Sequence, residues 1–248
     1  MRLARMRKTL VLQHVPYLRE GYIVDYMREH NIAFDVISLW ESHALPDASQ
    51  YSALIVMGGP MGVYEEYPAK DNEMALIKAS IGAIPVLGIC LGSQLVAHVL
   101  GARVYPNERD GEPAKEIGYY TVHLTPEGKA DPLFKGFDSD VRVLEWHGDA
   151  FELPRDASLL ATSRVCRNQA FVYQNAYGLL FHLEFTPEMV QGLAEDNREW
   201  THEHFNLDEE ELAKEARNLA RLMKKQCYTL LDNFFRLDHP PQEDGQSG

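Results

Sequence analysis

Pro85-Val86-Leu87-Gly88-Ile89-Cys90-Leu91-Gly92-Ser93-Gln94 is the stretch that decides the reading of this chain. The apolar run from Val86 to Ile89 has the character of a buried strand. Ser93 to Leu100 carries apolar residues at helical spacing, and Gly101 follows where a helix C-cap is expected. A sharp turn between the two must hold Cys90. Gly88-Ile89-Cys90-Leu91-Gly92 is the cysteine version of the G-x-S-x-G turn, in which small neighbours let substrate and backbone approach a nucleophile. Cys90 at a helix N-terminus meets a positive dipole end and free N–H groups, which favour a thiolate. The N–H of Leu91, next in the chain, is a natural oxyanion donor. The same residues also fit a cysteine packed between a core strand and a core helix, since free cysteine is among the most buried residue types.

Working outward, Thr9 to Gln13, Phe34 to Leu39 and Ala53 to Met57 read as further buried strands, with helices over Gly21 to His30 and about Lys70 to Ala79. Apolar strands alternating with helices predict an α/β fold: a central, mostly parallel sheet with helices on both faces. Ligands in such sheets sit at the carboxyl ends of the strands, where both Gly58-Gly59-Pro60 and Cys90 fall. Beyond Gly101 the chain turns strand-rich, with short candidates at Thr121 to Leu124, Val141 to Leu144, Leu159 to Thr162, Gln169 to Tyr173 and Leu179 to His182, and mixed pairing is expected. Thr186-Pro187 marks a helix start. One domain is expected over 1–205, followed by a C-terminal helix over 206–236 packed on it and a disordered tail over 237–248. Asn206 and Glu209 would form the helix's capping box.

At 248 residues the chain can bury a large core. Its net charge of −13 argues against a nucleic-acid partner. Three cysteines, at 90, 166 and 227, form no metal spacing and no even disulfide set, which suggests a reducing compartment. The basic N-terminus is followed by too short an apolar stretch for a signal peptide or membrane span, so a cytoplasmic location is expected.

A cysteine nucleophile needs a base and a group that orients it. Gly178-Leu179-Leu180-Phe181-His182-Leu183-Glu184 supplies both, because residues i and i+2 of a strand project to one side. His182 and Glu184 are the candidates; a solvated strand end is the plain alternative.

Gly58-Gly59-Pro60, the Cys90 turn and the His182-Leu183-Glu184 segment, in this order, resemble class I (triad) glutamine amidotransferases, and most closely stand-alone proteins similar to the glutaminase domain of GMP synthase. Glu116-Ile117-Gly118-Tyr119, Trp146-His147-Gly148-Asp149 and Asn168-Gln169-Ala170-Phe171 share that resemblance, which runs from about residue 8 to 195. It implies a flavodoxin-like fold and the following roles. Cys90 would attack the glutamine amide to form a γ-glutamyl thioester. His182 would shuttle protons and Glu184 would orient it. The N–H groups of Gly59 and Leu91 would form the oxyanion hole. Gln94, Gly148 and Asp149 would bind the substrate, while His147 reads as a histidine with a satisfied ring. One departure stands out: the family commonly has His-Pro-Glu, and here Leu183 replaces the proline that would stiffen Glu184.

No metal or cofactor is expected. His202-Glu203-His204 lacks a third ligand and helical i, i+4 spacing. Gly58-Gly59-Pro60-Met61-Gly62 lacks the Lys-Ser/Thr of a phosphate loop. The turn alone would also suit a cysteine hydrolase related to DJ-1. Three functions are open: glutamine amide hydrolysis, with ammonia passed to a separate synthase subunit; γ-glutamyl peptide hydrolysis or transfer by the same triad, with Tyr105 to Tyr119 as a loop near the substrate; and a non-catalytic or partner-gated module.

Overall fold

Val11, Ala53, Ile55, Leu87 and Ile89 face one side of a sheet, and Leu10, Leu12, Leu54, Val56 and Val86 face the other. Both faces are covered, which is why these strands read as unbroken apolar runs. A computed structural model describes residues 7–41, 44–109, 111–203 and 207–237. Its strands are β1 (Lys8–Gln13), β2 (Phe34–Ser38), β3 (Tyr51–Val56), β4 (Val86–Ile89), β5 (Val104–Pro106), β6 (Glu108–Arg109), β7 (Glu112–Pro113), β8 (Glu116–Leu124), β9 (Asp140–His147), β10 (Asp149–Phe151), β11 (Ser158–Thr162), β12 (Ala170–Tyr173) and β13 (Ala176–Leu179). Its helices are α1 (Tyr22–Glu29), α2 (Lys70–Ser80), α3 (Leu91–Val99), α4 (Pro126–Ala130), α5 (Pro187–Asp196), α6 (Arg198–His202) and α7 (Glu209–Arg236).

Nine strands form the main sheet in the order β2-β1-β3-β4-β13-β12-β11-β8-β9. The half from β2 to β13 is parallel, and the half from β13 to β9 is antiparallel, matching the change of pattern after Gly101. α1, α5 and α7 cover one face, and α2 and α3 the other. In α7, Leu212, Ala216, Met223, Cys227, Leu230 and Phe234 form the buried stripe. Among the described residues no helix is long and apolar enough to cross a membrane.

Three expectations need correction. The strand placed at Leu179 to His182 is β13, which ends at Leu179. Its neighbour β4 ends at Ile89, where the chain turns, so the ladder has no partner beyond that point. Asn206 lies outside the described residues, and the cap of α7 is Asp208, which accepts from the Glu211 N–H at 2.9 Å. Its acidic side chain suits the positive end of the helix. The segment from Tyr105 to Tyr119 is not a plain loop: β5 pairs with β10, β6 pairs with β7, and β8 begins at Glu116. The expected tail lies outside the described residues from 238 onward.

The turn at Cys90 depends on how closely α3 approaches β3. A Cβ on Gly92 would lie 2.1 Å from the Val56 carbonyl oxygen. Backbone rather than a flexible side chain blocks it, so Gly92→Ala must push helix from strand. The expected result is a loss of about 3 kcal/mol. For a chain of this size that lowers Tm by roughly 6–12 °C in a thermal melt.

Candidate active site

The carboxyl ends of β1, β3, β4 and β13 converge on one cleft, beside the point between β1 and β3 where the strand order reverses. Cys90 lies directly after β4 with φ 50° and ψ −109°. This conformation is rare for any residue with a side chain and costs about 1–3 kcal/mol. Surrounding bonds hold it: the Cys90 N–H donates to Leu179 O at 2.8 Å, and the Gln94 N–H to Cys90 O at 3.1 Å. The thiol sits at the N-terminus of α3, 3.8 Å from the Trp146 carbonyl oxygen.

His182 reaches the thiol from beyond the end of β13. Two backbone bonds to Leu144, of 2.8 and 3.1 Å, take the place of a strand there. The ring stacks on Phe185 with centroids 4.6 Å apart. Its Nδ1 lies 2.6 Å from Glu184 Oε1, which directs Nε2 toward Cys90. Burial alone would lower the His182 pKa. The Glu184 carboxylate and the hydrogen bond to Cys90 override burial and push it up to about 10. A cation is therefore held beside the Cys90 sulfur.

Leu183 has a role that a proline at this position could not fill. Its N–H donates to Glu184 Oε2 at 3.0 Å, a bond that proline has no hydrogen to make. The segment is held from outside as well. The Tyr22 N–H at the start of α1 donates to Glu184 O at 2.9 Å. Gly21 packs so near that a Cβ would lie 2.1 Å from the same oxygen.

Cys90, His182, Gly59, Gln94, Gly148 and Asp149 all line the cleft, whose volume is about 460 Å³. Leu91 and Glu184 stand behind it. Gln94 Nε2 donates to Asp149 O at 3.4 Å, joining the first turn of α3 to the turn at Gly148 between β9 and β10. Neither the Gly59 nor the Leu91 N–H donates to another described residue. Leu18, Met61, Phe185, Leu193 and Trp200 supply an apolar rim.

Two buried histidine–carboxylate groups at the cleft join residues that the sequence reading did not connect. His14 and Glu73 are each fully buried, with His14 Nε2 3.0 Å from Glu73 Oε1. His147, read above as a histidine with a satisfied ring, lies between Glu116 Oε2 at 3.3 Å and Glu145 Oε2 at 3.2 Å. Neither approach is aligned as a hydrogen bond, so the attraction is ionic. Burial opposes charge on His147, but the two carboxylates win and push its pKa up to about 10. Burial raises the Glu145 pKa. Among the described residues these three side chains are the group whose donor atoms could surround a cation. A proton on His147 Nε2 meets the same demand, and His147 Nδ1 faces Asp149 O at 3.1 Å, fixing the turn. A lone histidine gives no sequence signal of such a partner, because Glu116 and Glu145 come from two different strands. His202 pairs with Glu209 at the surface, 3.2 Å away, and His204 lies outside the described residues.

The model for the family described as glutamine amidotransferase class-I matches residues 20–196. The chain is 35% identical over 194 residues to the glutamine amidotransferase-like protein YfeJ of Salmonella typhimurium, covering 75% of this chain and 79% of that protein. It is 33% identical over 177 residues to the glutamine-hydrolysing GMP synthase of Streptococcus pyogenes, covering 65% of this chain but only 32% of that protein. Among solved structures, a glutamine amidotransferase from Thermotoga maritima superposes with a TM-score of 0.84 at 34% identity, over 93% of this chain and 99% of that one.

Proposed function

This chain belongs to the glutamine amidotransferase class-I family, and we propose that it hydrolyses the side-chain amide of glutamine to glutamate and ammonia through Cys90. The observation that carries this reading is the alignment of a strained Cys90, a His182 cation and Glu184 at the end of the parallel strands. The sulfur attacks the amide carbon, and the proton that Cys90 gives up resides on His182. The Gly59 and Leu91 N–H groups receive the oxyanion. His182 then protonates the leaving nitrogen, which departs as ammonia and leaves a γ-glutamyl thioester. Water attacks the thioester, gives its proton to His182 and releases glutamate, and the proton returns to sulfur. Gln94 binds the substrate through its side chain, and Gly148 and Asp149 help hold its amino-acid end.

The chain spans 32% of the glutamine-hydrolysing GMP synthase, and the acceptor of the ammonia in this reading is a synthase. All three cysteines are unpaired, which supports a reducing, cytoplasmic location. A second reading, hydrolysis or transfer of γ-glutamyl peptides, is favoured by the size of the cleft. At about 460 Å³ it lies within the range of ~300–1,000 Å³ that takes larger ligands, and its rim is apolar.

Glutamate release by the purified chain, measured with glutamine and with γ-glutamyl dipeptides, tests both. Faster release from glutamine is expected. Preference for the dipeptides transfers the assignment to the second reading. Release from neither, with and without candidate synthases, overturns both.

A further inference from the structure

The fully buried pair of His14 and Glu73 lies outside the triad, yet it touches the turn that carries the oxyanion donor. We propose that His14, backed by Glu73 and Tyr67, is a positioning residue that sets the direction of the Gly59 N–H. The proposal rests on the oxyanion role assigned to Gly59 above.

The reason is the planarity of one peptide unit. The Gly58 carbonyl and the Gly59 N–H belong to the same trans amide, so they point in opposite directions. His14 Nδ1 lies 3.2 Å from the Gly58 oxygen, and His14 is not among the residues that line the cleft. A carbonyl oxygen only accepts, so Nδ1 carries the hydrogen. Holding that oxygen aims the Gly59 N–H the other way, into the cleft that Gly58 and Gly59 line. Two successive glycines offer little resistance to rotation of the peptide between them, so an external latch is needed.

The latch is itself anchored. Glu73, in the first turn of α2, faces His14 Nε2 with one oxygen at 3.0 Å, a close approach without hydrogen-bond alignment, and accepts from the Tyr67 hydroxyl with the other at 2.8 Å. Burial and the Glu73 charge hold the Tyr67 phenol well above its usual pKa, so it remains a donor. The His14 ring also packs against the turn, and a Cβ on Gly59 would lie 3.0 Å from His14 Cβ. His14 directly follows β1, Glu73 lies in the first turn of α2 and Tyr67 in the segment just before it, so the latch ties two elements to the oxyanion turn.

The test uses His14→Phe, which keeps a ring against Gly59 but has no donor, and His14→Asn, whose amide nitrogen can occupy the place of Nδ1. His14→Phe is expected to lower kcat about 10²-fold, the usual effect of losing one oxyanion donor, with KM changed less than about 3-fold. His14→Asn is expected to recover most of the loss. Two probes of Cys90 separate this role from general damage. Alkylation by iodoacetamide develops no oxyanion, so its rate is expected to be unchanged. The aldehyde analogue of glutamine forms a thiohemiacetal oxyanion, and its affinity is expected to fall in parallel with kcat. Should His14→Phe fail to fold, Glu73→Gln is read by the same two probes, with a smaller loss in the same direction. Equal aldehyde affinity in wild type and variant, or equal slowing of alkylation, overturns the latch alone. A wild-type chain that is alkylated at Cys90 but neither binds the aldehyde nor turns over overturns the oxyanion role of Gly59, and the latch with it.

Discussion

Cys90→Ala is expected to lower glutamate release by about 10⁴-fold or more, because the covalent route disappears with the sulfur and the remaining groups cannot replace it. Cys90→Gly is expected to be equally inactive, yet the two variants should differ in stability. Glycine in place of alanine ordinarily costs about 0.5–1 kcal/mol in a regular element. At φ 50° and ψ −109° the order should invert, since alanine retains the strain of a side chain in this region and glycine does not. Cys90→Gly should therefore melt above Cys90→Ala by a few degrees, roughly 2–4 °C for 1 kcal/mol in a chain of this size. Paired melts and glutaminase assays of the two proteins check both halves. Equal turnover by either variant and the wild type removes Cys90 from the chemistry. Alanine above glycine in Tm removes the strain from the turn.

Glu184→Gln should lower kcat roughly 10²- to 10⁴-fold, the range spanned by positioned acid–base groups. The side chain keeps its shape but loses its charge. His182 then remains buried without its strongest counter-charge, and its pKa falls from about 10. The imidazole NMR signals of His182 should accordingly titrate at lower pH in the variant than in the wild type. Stability carries the same signature. A histidine whose pKa is raised on folding stabilises the folded state fully below its unfolded pKa near 6.5, and that contribution is lost as pH rises toward about 10. His147 contributes with the same sign. The difference between wild type and Glu184→Gln in the slope of stability between pH 6.5 and 10 therefore isolates His182. An unchanged slope and an unchanged ring signal would place Glu184 outside the control of His182.

The parallel half of the fold was legible because each of its strands is covered on both faces. Val86 to Ile89 and Ala53 to Met57 must be apolar throughout, and that leaves a run with no competing explanation. The start of α5 was equally plain, since Thr186 accepts from the Met189 N–H at 3.3 Å and Pro187 occupies the first helical position. The end of β13 was less legible. Leu179 to His182 is as apolar as a strand, but where the ladder stops depends on β4, and that length is set ninety residues earlier in the chain.

Local sequence by itself determined the elements, the turn at Cys90 and the pairing of His182 with Glu184, because each is written in neighbours one to four residues apart. Tertiary structure alone decided what surrounds them. It supplied the Leu183 N–H as a holder of Glu184, the return of Tyr22 onto the Glu184 carbonyl, and the two buried histidine–carboxylate groups at the cleft. His14 and Glu73 stand fifty-nine positions apart, and Glu116 and Glu145 lie on two neighbouring antiparallel strands. The physical reason is burial. In water a lone histidine or glutamate has no preference for a distant partner. Once the sheet and its helices close over them, a charge without a counter-charge costs far more than a single polar contact returns, and only the partners that the fold brings within about 3 Å can meet that demand.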